Sequence, residues 1–233
     1  MELTSDPDAL RLSDLSYAVV DVETTGGSPD RGDRITEIAT VLVRDGRIGD
    51  VFETLVNPER AIPWWVSRLT HITGDMVRDR PTFRESHAQI AAALSGDVFV
   101  AHNAAFDWGF VSAELRFSDL SIVGFGGPAA VLPARRLCTV RLARALLPHL
   151  RRRSLDAVAH YYGVPIAARH RAAGDALAAA HCLIRLLDDA GTRGCDTWAD
   201  VERLIARRAR RPSRRGHRGW YAMPRTGEWE IGA

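Results

Sequence analysis

Tyr17-Ala18-Val19-Val20-Asp21-Val22-Glu23-Thr24-Thr25-Gly26 is the stretch from which the fold of this 233-residue chain is read. Its first half is apolar and β-branched, and it stops at Thr24-Thr25-Gly26, which predicts a buried strand over 17–23 leaving the core. Side chains two residues apart on a strand share a face. Asp21 and Glu23 therefore project together from the end of a core strand. Two acids that close raise each other's pKa unless a counter-charge intervenes. A hard divalent cation, which prefers oxygen ligands, supplies that charge. The plainer alternative, a pair of capping or turn-forming acids, belongs in polar surroundings and not after four apolar residues.

Two further segments carry acids in similar settings. His102-Asn103-Ala104-Ala105-Phe106-Asp107 follows the apolar strand expected at 98–101. Asn103 is placed to cap the helix expected over 105–116, and on the plainer reading Asp107 only charges that helix start. His170-Arg171-Ala172-Ala173-Gly174-Asp175 opens a helix expected over 172–189, with Leu177, Ala180, Ile184 and Leu187 on one buried face. His170 falls on the loop before it. An imidazole titrating near neutrality suits a general base, whereas a loop histidine alone, one of eight here, is commonly just surface. Taken together, the four carboxylates and the histidine fit phosphodiester hydrolysis with two divalent cations, Mg²⁺ or Mn²⁺, about 3.5–4 Å apart. Phosphate oxygens of the substrate would complete the coordination.

In order and content, DVETTG, HNAAFD and HRAAGD resemble the DEDDh 3′–5′ exonucleases (DnaQ-like), which include the proofreading ε subunit of bacterial DNA polymerase III. The resemblance extends through Leu69-Thr70-His71-Ile72-Thr73-Gly74-Asp75-Met76-Val77 and Leu137-Cys138-Thr139, and spans roughly residues 15–190. It implies an α/β fold: a ribonuclease H-like mixed β-sheet flanked by α-helices, here with a basic C-terminal extension. By the same resemblance Asp21 bridges two metals and Glu23 and Asp175 bind the one carrying the attacking water. Asp107 holds the second metal, and His170 is the base. Thr24, Thr25, Gly26, His71, Asn103 and Phe106 would line the terminal nucleotide, His71 standing where the family often has glycine. The implied substrate is the 3′ end of DNA, with a DNA polymerase subunit as a candidate partner. An RNA-trimming enzyme of the ribonuclease T kind and a polymerase-associated, non-catalytic adaptor are the alternatives. Gln89 is the single glutamine, so no sliding-clamp box of the glutamine-led kind follows the catalytic region.

Composition bounds the rest. The formal charge of +2 gives no argument for nucleic-acid affinity, and the exclusive use of arginine among Lys and Arg fits a coding bias as well as phosphate binding. Three unpaired-looking cysteines, the lack of a signal peptide and the absence of any apolar run near the roughly 20 residues that span a bilayer predict a cytoplasmic protein. Strands are expected at 35–44 and 47–56, joined by an Asp45-Gly46 hairpin turn. A Thr82/Glu85 capping box should open a helix ending near Leu94. Helices are also expected at 139–147 and 154–162, and 121–133 reads as a loop. The division is a segment at 1–14, an exonuclease domain at 15–190 and an extension at 191–233. The extension holds an amphipathic helix at 196–211, an arginine cluster at 207–215 for phosphates or for solvation, and an aromatic hairpin at 219–231.

Overall fold

The expected strand forms as β1 (Tyr17–Thr24) and lies at the centre of a mixed five-stranded sheet. The computed structural model describes residues 10–118 and 132–209. On one side of β1, β2 (Ile35–Arg44) and β3 (Arg47–Leu55) add antiparallel; on the other, β4 (Val98–Ala101) and β5 (Arg135–Cys138) add in parallel, giving the order β3-β2-β1-β4-β5. Asp45 and Gly46 turn β2 into β3 with φ of 52° and 67°, the two left-handed positions that this tight hairpin requires.

Alternation along β1 divides the core. Tyr17 and Val19 enter one apolar cluster, Val20 and Val22 the other. Over the first cluster lie α5 (Thr139–Leu146), α6 (Leu155–Tyr162), α7 (Ala172–Gly191) and α8 (Trp198–Ala209). The second is closed by α3 (Phe83–Ala93), opened by the expected Thr82/Glu85 box, and by α4 (Ala104–Phe117). Two short helices, α1 (Trp64–Thr70) and α2 (Gly74–Val77), connect β3 to α3.

The buried stripe of α7 differs from expectation. Of the four expected residues Ala180 is fully buried, while Leu177, Ile184 and Leu187 are only partly so; Ala172, Ala176, Ala179, Leu183, Leu186 and Ala190 complete the buried stripe. Alanines let the helix axis approach β1 and β2 closely, and the larger side chains flank the contact. β5 and α2 were not anticipated: a four-residue edge strand containing two arginines has no legible alternation. The flanks of the expected domain pack on it. Leu12 N–H donates to Asp196 O (2.9 Å), Trp198 N–H donates to Leu10 O (2.9 Å), and Leu12, Trp198 and Val201 enter the first cluster. The segment 1–9, most of the loop at 121–133, the arginine cluster beyond 209 and the aromatic hairpin lie outside the described residues. Among the described residues no helix is long and apolar enough to cross a membrane.

Candidate active site

All the acids meet at the C-terminal end of β1, the edge at which open α/β sheets present their sites. Asp21 and Glu23 share the β1 face that Tyr17 and Val19 occupy, so they look toward α7, whose first turn supplies Asp175. One carboxylate oxygen from each of Asp21, Glu23 and Asp175 lies within 4.8 Å of the others. Asp107 approaches from the opposite side. It is buried in the first turn of α4, and its Oδ1 accepts from Val22 N–H at 3.2 Å, which ties the helix to the backbone between the two β1 acids.

Crowded, desolvated carboxylates resist ionisation. Loss of water, then Asp107, Glu23 and Asp175, hold Asp21 well above the usual range. Desolvation, then Asp175 and Glu37, push Glu23 up to about 7. Desolvation raises Asp107 to about 8, against the pull of backbone N–H groups. Asp175 is raised by burial while Arg169 opposes the rise. Its Oδ1 is buried and accepts no hydrogen bond, whereas Oδ2 accepts from Arg169 Nη1 and from His170 N–H (3.2 Å). Hard oxygen donors around an unsatisfied buried oxygen fit a divalent cation.

His170 holds a left-handed backbone (φ 62°) one residue before the arginine that precedes α7. Burial, then the Arg169 charge, lowers its pKa, and it lies close enough to Asp175, Asp156 and His71 to feel their charges. A neutral imidazole at this edge can take a proton.

The remaining expected contacts fare unevenly. Thr24 Oγ1 donates to Gly26 O (2.6 Å), and Thr25 Oγ1 accepts from Arg34 N–H (3.0 Å), so both hydroxyls hold their own loop. Gly26 packs so tightly that a Cβ would lie 2.4 Å from the Asp33 carboxylate. Asn103 does not cap α4 through its side chain. Its backbone is left-handed (φ 86°), and its carbonyl accepts from Phe106 N–H (2.9 Å). Phe106 is half-buried against Phe110, with ring centroids 4.8 Å apart. His71 is exposed and ends α1 with φ 59°, a conformation that explains a preference for glycine there.

Several site residues were missed. His102 accepts at Nδ1 from the Thr139 hydroxyl (2.9 Å) and donates from Nε2 to Arg153 O (3.0 Å); burial lowers it to about 4, so it is a neutral tie between β4, α5 and the 147–154 turn. Glu37 is fully buried opposite Glu23. It receives Arg171 Nε (3.1 Å) and Nη2 together with Ala172 N–H (2.8 Å). Gly174 is obligatory, since a Cβ would sit 2.0 Å from Ala167 O. His102 and Gly174 lie inside the HNAAFD and HRAAGD motifs, but no periodic pattern marks the role of any of these positions.

A mixed sheet of this kind, with its acids gathered at one end of the central strand, defines a ribonuclease H-like nuclease. The RNase_T family model, described as "Exonuclease", matches residues 18–183, and the chain belongs to that exonuclease family. It is 40% identical over 170 residues to DNA polymerase III PolC-type of Clostridium perfringens, covering 73% of this chain and 11% of that protein. Against a DNA polymerase III subunit epsilon-like protein of Rhodobacter capsulatus it is 39% identical over 195 residues, 82% of this chain and 26% of the relative. The chain thus spans only a minor share of these curated relatives. Among solved structures it is similar to Exonuclease X in complex with 5′ overhanging duplex DNA, with a TM-score of 0.59 and 27% identity over 81% of this chain and 99% of that one.

Proposed function

We propose that this chain removes nucleotides from the 3′ end of DNA in a proofreading or repair role, using two divalent cations, Mg²⁺ or Mn²⁺. The carrying observation is the convergence of Asp21, Glu23 and Asp175 within 4.8 Å, with Asp107 beside them and His170 adjoining. Asp21, Glu23 and Asp175 would hold one cation, and Asp21 with Asp107 the other. Bound cations lower the pKa of a coordinated water and polarise the phosphate. His170, neutral at physiological pH, takes the proton from the attacking water. The loop at Thr24–Gly26, stiffened by its own hydroxyl bonds, places backbone against the terminal nucleotide, with Asn103, Phe106 and His71 around it.

Support for DNA comes from the DNA polymerase III relatives and from the DNA complex of Exonuclease X. Trp64, Trp65 and Leu69 on α1 are 75%, 43% and 49% exposed beside His71, a surface on which unpaired bases can stack. That favours a frayed or single-stranded terminus. A cytoplasmic site of action and association with a polymerase belong to the same reading.

The test is digestion of 5′-labelled single-stranded DNA, mismatched-end duplex, paired duplex and RNA, with Mg²⁺ and with chelator. We expect metal-dependent stepwise shortening, fastest on unpaired DNA ends. Faster loss of RNA would move the reading to the ribonuclease T kind, and inertness on every substrate with metal present would leave an adaptor.

A further inference from the structure

Arg169 has no part in the activity as described, yet its guanidinium connects two acids at the rim of the cluster. Its Nε and Nη2 donate to the two carboxylate oxygens of Asp156, at 2.9 and 3.3 Å, a bidentate grip from the first turn of α6. That grip directs Nη1 onto Oδ2 of Asp175, where His170 N–H also donates. Both donors therefore converge on one oxygen of Asp175, and the other is left buried without a partner. A carboxylate free to rotate about its last torsion would present either oxygen. Here two donors on Oδ2 fix the choice.

Resting on the metal reading above, we propose that Arg169, tethered by Asp156, is a positioning residue that fixes which oxygen of Asp175 is offered to the cation. The Asp156–Arg169–Asp175 relay also couples α6 to the metal site, and the Arg169 side chain, 34% exposed, keeps its charge in contact with water on one side. A planar guanidinium does this where an ammonium cannot, because three nitrogens must reach two carboxylates at once. Partners that orient metal ligands typically contribute 10–100-fold in metal affinity.

The test is calorimetric titration of Mn²⁺ into the full chain without substrate, for wild type, Arg169→Ala, Arg169→Lys and Asp156→Asn, with melting temperatures in chelator as the control for folding. We expect Arg169→Ala and Arg169→Lys each to weaken Mn²⁺ binding about 10- to 100-fold. Asp156→Asn should weaken it less, and the double variant Arg169→Ala/Asp156→Asn should be no worse than Arg169→Ala alone, as for residues acting in series. Unchanged or tighter binding in the Arg169 variants, with wild type binding normally, overturns the inference and leaves the metal reading intact. Absence of binding by wild type removes both. Should Arg169→Ala fail to fold, Arg169→Lys and Asp156→Asn carry the same comparison.

Discussion

Glu23, at about 7, and Asp107, at about 8, stand far above their ordinary values of 4.5 and 3.8, and that makes the metal-free protein sensitive to base. With folded-state pKa values raised, the native protein binds more protons than the unfolded chain between roughly pH 4 and 8. The stability this confers is fully present below pH 4 and is lost as pH climbs through 7 to 8. His102 acts in the opposite sense: lowered from 6.5 to about 4, its contribution disappears as pH falls through that interval. Above pH 7 His102 no longer contributes to the pH dependence. In chelator, the melting temperature should therefore decline from pH 7 to 8.5, and Glu23→Gln with Asp107→Asn should flatten the decline. Parallel slopes for variant and wild type would show that these acids ionise freely. Divalent metal should also flatten it, since the cation displaces the protons.

At the scale of elements, the junction of β2 and α7 sets His170 and Asp175. Glu37 is fully buried and Arg171 about one-third exposed, so the two halves of the pair are not equivalent. Arg171→Ala removes the cation from a buried carboxylate that keeps Ala172 N–H and the neighbouring Glu53 carboxyl, at about 3 kcal/mol, the lower end for such a loss. Glu37→Gln keeps an acceptor for Ala172 N–H and leaves Arg171 access to water, costing about 1 kcal/mol. Urea unfolding measures both, and equal costs would refute the asymmetry. The strands from 17 to 55, the capping box and the helices were legible because periodicity and turn chemistry act locally. So were Asp21 and Glu23, because a strand fixes where residues i and i+2 point. What escaped was set by long-range contacts: the Glu37–Arg171 pair joins residues 134 apart in sequence, Arg169 meets Asp156 across a turn, and β5 exists only because β4 pairs with it. Asn103 misled because a capping residue type met a left-handed backbone.

Over the whole molecule, two buried glutamates tie strand to helix on either side of the described site. Glu37 holds the α7 side. Glu114 accepts Arg34 Nε (2.9 Å) and Nη2 (2.8 Å) together with Ile35 N–H (3.0 Å) on the side of the Gly26 loop. The six arginines of 210–233 extend the cationic character beyond α8. Removing residues 210–233 should weaken single-stranded DNA binding and lower its log–log salt slope by about 0.7 for every phosphate those arginines touch. An unchanged slope in fluorescence titration would assign them to solvation or to a protein partner. Crystals soaked in Mn²⁺ put the cation cage itself to measurement, through an anomalous difference map at the manganese edge. Two peaks about 3.5–4 Å apart, bounded by Asp21, Glu23, Asp107 and Asp175, are predicted; a map with no peak among these four acids, while the metal is bound elsewhere, would contradict it.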